Sequence, residues 1–201
     1  MIAIADYGMG NRRSVEKALA HVGAESVVTS DVRDASAIVL PGVGAFPEAM
    51  RRLGRLGLDE LIRERAAAGV PVLGICLGMQ LLFESSDEHE GASGLGLLSG
   101  TVTRLRAQGL KVPHIGWNRV TFTRPSLLTG GLGDAASFYH VHGYACRPEE
   151  ESDVVGRGEY GERFVSIVQR GNVMGAQFHP EKSSLDGLTL LRNFVGVRVA
   201  A

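Results

Sequence analysis

Only two cysteines, Cys76 and Cys146, occur in 201 residues. Two thiols do not build a disulfide framework, and a chain of this length buries enough apolar surface to fold without one. A charge excess is also missing: 21 Lys and Arg stand against 22 Asp and Glu, for a net charge of −1. Nucleic-acid-binding domains carry a basic footprint, so that class is set aside. No apolar run approaches the ~18 residues of a membrane-spanning helix. The first eleven residues have no basic start, no long apolar segment and no cleavage site, so they do not read as a signal peptide. These absences predict a cytoplasmic protein with a thiol free for chemistry. A hydrophobic fraction of 44% excludes a disordered chain.

Glycine is what the chain has in excess, at 27 positions. The usual share is ~7%. The glycines follow no three-residue period, which excludes collagen, and so they mark turns, close backbone approaches or ligand loops.

The first half alternates strand-like and helix-like segments. Residues 2–5 form a short apolar run, followed by Val15, Ala18, Leu19 and Val22 at helical spacing, with Asn11 as the expected side-chain cap. Strands are expected at 25–29, 37–40 and 70–75, with one or two helices over 47–69 divided at Gly54 and Gly57. After Cys76, the spacing of Met79, Leu82 and Phe83 predicts another helix. Strand and helix in alternation give a parallel sheet covered on both faces. Further strands are expected at 101–105, 119–123, 137–142, 154–157, 164–169 and 173–178, the last ones antiparallel, with a closing helix over 184–195. With no repeat and no linker, residues 1–201 read as one domain.

Gly74-Ile75-Cys76-Leu77-Gly78 joins a buried strand to a helix. This is the pattern of a nucleophile elbow with Cys in place of Ser. The nucleophile sits on a strained turn, and a Cβ on either flanking glycine would collide with its surroundings. Amides at the helix start favour a thiolate, and the Leu77 amide faces the oxygen of an attacked carbonyl. A nucleophilic Cys needs a base and an orienting group. His179 and Glu181, in Gln177-Phe178-His179-Pro180-Glu181-Lys182, are two apart in an extended segment and so face the same way. His140 and His142 form a rival constellation, but no third ligand completes a metal set, so no metal is expected.

Together these motifs resemble the class I (triad) glutamine amidotransferases. Gly74 to Gln80 and His179-Pro180-Glu181 match that family's two central motifs. Asp6 to Asn11, Pro41 to Gly44, Pro113 to Asn118, Tyr139 to Tyr144 and Lys182 are similar to the branch that serves imidazole glycerol phosphate synthase. The resemblance runs from residue 2 to about residue 195. It implies an α/β fold of three α/β/α layers around a mixed, largely parallel sheet of flavodoxin-like type. It also implies glutamine hydrolysis to glutamate and ammonia without a cofactor. The ammonia would pass to a (β/α)8 cyclase subunit in histidine biosynthesis.

Roles follow position by position. Cys76, His179 and Glu181 would be the triad, with Leu77 and the Gly42-Val43-Gly44 strand supplying the oxyanion donors. That strand is expected to need a peptide rotation, which its glycines would ease. Gln80 and Glu88 would hold the backbone end of glutamine, and Asn11, Trp117 and Lys182 would face the cyclase and the ammonia path. The chain departs from the family pattern at His140, Gly143 and Arg12. The alternatives are a glutaminase of another class I system, a cysteine hydrolase on a related fold, and an idle binding subunit.

Overall fold

The computed structural model describes residues 1–197. In the first half, β1 (Ile2–Ala5), α1 (Arg12–His21), β2 (Ser26–Thr29), β3 (Ala37–Gly42), α2 (Phe46–Leu56), α3 (Leu58–Ala67), β4 (Val72–Cys76) and α4 (Leu77–Leu81) follow one another. The second half runs through β5 (Phe83–Ser86), β6 (Ala92–Ser93), β7 (Leu98–Arg104), β8 (His114–Phe122), β9 (Ala135–His142), β10 (Tyr144–Pro148), β11 (Val154–Glu159), β12 (Arg163–Arg170), β13 (Val173–Ala176) and α5 (Ser184–Val195).

Nine strands form the central sheet in the order β2-β1-β3-β4-β13-β12-β11-β8-β9. The neighbours from β2 to β13 are parallel, and those from β13 to β9 are antiparallel. The strand period of two assigns side chains to opposite faces. Ile2 and Ile4 pack with Val15, Ala18 and Leu19 of α1 and Leu190, Leu191 and Phe194 of α5. Ala3 and Ala5 pack with Phe46, Ala49 and Leu53 of α2 and Leu58 and Ile62 of α3. The result is the expected α/β/α sandwich, with two separate apolar layers.

Four local expectations need correction. Asn11 sits at the start of α1, but its side chain makes no capping bond; its carbonyl accepts from Val15 N at 3.3 Å. The division between α2 and α3 falls at Gly57, whose φ of +65° ends α2, whereas Gly54 lies inside it. The helix after Cys76 is only five residues long, and Phe83 opens β5 instead of continuing it. Residues 77–83 are all buried, so their apolar pattern has no exposed side from which to read a period. Finally, β8 already begins at His114, and a second sheet of order β10-β7-β5-β6 was not expected. Its strands β5 and β6 are short and largely polar, which hides them in the sequence.

Candidate active site

The carboxyl ends of β3, β4 and β13 meet in the middle of the sheet. Gly42 is in register with Cys76, and Ala176 with Ile75. Ligands of open α/β sheets bind outside these strand ends. A cavity of about 300 Å³ opens there, lined by Val43, Gly44, Cys76, Leu77, Gln80, Glu88, His179 and Lys182 among others. That volume is at the small end of the range for small-molecule sites.

Cys76 has φ 55° and ψ −111°, a left-handed conformation that a side-chain-bearing residue adopts only under constraint. The constraint is visible in the glycines around it. A Cβ on Gly74 would lie 2.5 Å from the Gly78 carbonyl oxygen, and one on Gly78 only 1.7 Å from the Leu40 carbonyl oxygen. The elbow is thus jammed against β3 and its own first helical turn. Gly175 serves the same packing, because a Cβ there would lie 2.6 Å from Met79 Cγ. With only five residues, α4 contributes the field of a few free amides rather than that of a long dipole.

His179 follows β13 in extended geometry, but Pro180–Lys182 form a 3-10 turn in place of the expected extended segment. The His179 Nδ1–H still donates to Glu181 Oε1 at 2.9 Å, because the turn brings Glu181 back beside the ring. Both side chains are buried, and Glu181 Oε2 has no partner. Burial lowers the pKa of His179, but hydrogen bonding to Cys76 and Glu181 and the charges of both outweigh it and raise it to about 9. The imidazole is therefore stabilised in its cationic form, between a sulfur and a carboxylate.

The Pro41–Gly44 segment beside the elbow is gripped from below. Tyr7 Oη donates to the Pro41 carbonyl at 2.7 Å, and burial pushes its phenol pKa up. A Cβ on Gly42 would lie 2.8 Å from Tyr7 Oη and 2.9 Å from the Gly78 nitrogen. Gly42 is thus needed for close approach, whereas Gly44, at φ +100°, supplies the unusual backbone conformation. Between them Val43 is exposed and lines the cavity.

Gln80 is buried, and its Nε2 donates to the Tyr144 carbonyl at 3.3 Å and to Gln177 Oε1 at 3.1 Å. Glu88 is not part of a solvated charge run. Its side chain is 12% exposed, and Oε2 accepts from Phe46 N at 2.7 Å, tying the start of α2 to the cavity wall. Lys182 is exposed at the rim. Asn11 and Trp117 do not line the cavity. Both are exposed, and Trp117, at 56%, packs edge-on against Tyr139, whose carbonyl accepts from His179 N. Arg12 forms an ion pair with Asp6.

The paired histidines have local partners. His140 Nδ1–H donates to the Phe138 carbonyl at 3.0 Å, and its Nε2 accepts from Ser166 Oγ at 2.9 Å. His142 Nδ1–H donates to the Tyr144 carbonyl at 2.8 Å, and its Nε2 faces His114 Nδ1 at 3.2 Å. Burial holds all three neutral, with His142 lowered to about 4. The sequence motifs contain Tyr7 and Gln177 but gave neither a role at or behind the site. Gln177 is fully buried, with Nε2 4.0 Å from Cys76 Sγ, and its place two residues before His179 was the available signal.

A cysteine on a strained elbow and a histidine at one cavity, with a buried carboxylate behind the histidine, define a cysteine amidohydrolase-type site. The family model described as glutamine amidotransferase class-I matches residues 3–197, and the chain belongs to that family. It is 54% identical over 196 residues to the imidazole glycerol phosphate synthase subunit HisH of Moorella thermoacetica, covering 96% of this chain and 93% of the relative. It is 51% identical over 195 residues to the subunit of the same name from Aquifex aeolicus, covering 95% and 94%. A solved glutamine amidotransferase superposes with a TM-score of 0.76 at 22% identity, covering 96% of each chain. The structure of PurLQS from Thermotoga maritima does so at 0.74, again at 22% identity and 96% of each chain. These two likenesses concern the fold. Among the described residues no helix is long and apolar enough to cross a membrane.

Proposed function

We propose that the chain is the glutaminase subunit of an imidazole glycerol phosphate synthase and works in the cytoplasm. It hydrolyses glutamine and passes the ammonia to a (β/α)8 cyclase subunit in histidine biosynthesis. The observation that carries this reading is the triad geometry: Cys76 on its elbow beside His179, with Glu181 2.9 Å from the imidazole.

Cys76 Sγ attacks the side-chain amide carbon of glutamine. The proton held on His179 goes to the leaving nitrogen, which departs as ammonia. Water then attacks the thioester, with His179 taking its proton, and glutamate leaves. Glu181 keeps the imidazole in the tautomer that presents Nε2 to the sulfur. The Leu77 amide and the Gly42-Val43-Gly44 strand receive the developing oxyanion. Gln80 and Glu88 take the α-amino-acid end, where the Glu88 carboxylate complements an ammonium. Asn11, Trp117 and Lys182 face the cyclase. An exposed indole is a common interface anchor, and Lys182 stands where ammonia would leave the cavity.

Glutamine hydrolysis measured with and without the cyclase and its ribotide ligand tests the proposal. A large rise only in the full mixture is expected, with loss of glutamine-dependent product in Cys76→Ala. A rate indifferent to that cyclase would assign the chain to another class I system, and full activity of Cys76→Ala would make it an idle subunit.

A further inference from the structure

We propose that Gln177 supplies a hydrogen-bond donor to the Cys76 sulfur, and that Gln80 fixes its direction. The chain of hydrogen bonds starts at a main-chain carbonyl. The Tyr144 oxygen can only accept, so the Gln80 group 3.3 Å from it is the amide NH2. That same NH2 donates to Gln177 at 3.1 Å, so the Gln177 atom facing it is the carbonyl oxygen. The other end of the Gln177 amide is then its NH2, and it lies 4.0 Å from Cys76 Sγ. Each amide orientation is therefore forced by its neighbour, from Tyr144 through Gln80 and Gln177 to the sulfur.

Besides the His179 imidazole, the sulfur thus has two opposite partners. The Val141 carbonyl, 3.5 Å away, accepts the S–H of the neutral thiol. The Gln177 NH2 suits the thiolate. Gln177 is fully buried and Gln80 is 5% exposed, so water does not compete for these bonds. Gln177 touches a reacting atom, and Gln80 acts on that atom only through Gln177. Gln80 therefore has a second job beside the glutamine contact proposed above. With its NH2 engaged, its carbonyl oxygen is the group left for a ligand, and an acceptor there suits an ammonium or amide donor.

This inference rests on Cys76 being the nucleophile, and its test separates the two claims. Iodoacetamide alkylation of Cys76 in the full chain is followed by peptide mass spectrometry at pH 7 and pH 10, with fully buried Cys146 as the internal comparison. Gln177→Met keeps size and removes the donor. It is expected to slow Cys76 alkylation about ten-fold at pH 7, one pH unit's worth of thiolate. At pH 10, above the ordinary range of a free thiol, the rates are expected to agree within about two-fold. Gln177→Glu keeps the acceptor for Gln80 but sets an oxygen against the sulfur, and should slow the pH 7 reaction further. Gln80→Met leaves Gln177 free to turn and should slow it by less than Gln177→Met, which gives a second route should the buried variant melt early.

Equal slowing at both pH values would mean that Gln177 only packs, and an unchanged pH 7 rate would remove the donor role; either result overturns the proposal. If wild-type Cys76 reacts no faster than Cys146, the nucleophile assignment itself falls.

Discussion

Replacing Gly78 by Ala adds one methyl group, and the structure says where it must go. The new Cβ would sit 1.7 Å from the Leu40 carbonyl oxygen, in the backbone of a fully buried central strand. Contacts under 3.0 Å are essentially never made by real Cβ atoms. The first turn of α4 must therefore move off β3 by more than about 1 Å, and it carries the Leu77 amide and the Cys76 hinge with it. Overpacking of this kind costs roughly 1–3 kcal/mol, and the rigid backbone obstacle argues for the upper end. For a chain of this size that is a fall in Tm of roughly 6–12 °C. A displacement of ~1 Å at the chemistry costs on the order of 10²-fold in rate. The assay is glutamine hydrolysis in the presence of the cyclase, beside a thermal melt. Gly54→Ala is the control: it lies inside α2, nothing stands within 4 Å of its Cβ, and it should raise stability by roughly 0.5–1 kcal/mol with the rate unchanged. A Gly78→Ala enzyme with the wild-type melt and a rate within about two-fold of wild type would refute the steric account of the elbow.

Glu181→Gln removes the charge behind His179, and the His179 NMR titration midpoint should drop by at least ~1 unit, with glutamine hydrolysis falling roughly 10²-fold. Because the folded-state pKa of His179 is raised from 6.5 to about 9, the stabilisation of its cationic form is complete below 6.5 and disappears as pH rises through about 9. The wild-type urea midpoint should accordingly fall between pH 7 and 10, and fall less in Glu181→Gln; equal slopes would count against the ion pair. On the acid side, His140 and His142 are buried neutral, so their contribution is present above 6.5 and is lost as pH falls through the folded values, about 4 for His142. His140→Phe should flatten that acid limb while costing ~1 kcal/mol at pH 8, where the Ser166 bond is lost; identical acid limbs would show that His140 does not titrate there. Tyr7→Phe frees the Pro41 carbonyl, and should cost about 1–2 kcal/mol in a urea titration and lower the glutaminase rate.

The sequence by itself determined the elements whose residues sit within a few positions of one another. The elbow is local: Gly74, Cys76 and Gly78 specify a strand-to-helix turn because only glycine fits beside the crowded backbone. His179 and Glu181 are equally local, although it is a 3-10 turn over Pro180–Lys182, not an extended run, that sets the carboxylate beside the imidazole. The period-two and helical patterns around β1 and α1 set the layers in the same way.

Tertiary structure decided what depends on residues far apart in the chain. The five-residue length of α4 and the start of β5 at Phe83 follow from burial on all sides, which erases the periodic pattern. The second sheet pairs β7, expected as a strand, with β10 and with β5 and β6, the last two too short and polar to announce themselves. The Tyr7 clamp on Pro41 spans 34 residues, the Glu88 tie to Phe46 spans 42, and the Gln80–Gln177 pair spans 97. A hydrogen bond of that reach has no signature in local spacing, because chain connectivity does not fix which buried polar groups meet. Burial then requires each of them to find a partner. That requirement is what turned Gln177 from a residue beside a motif into a donor on the sulfur.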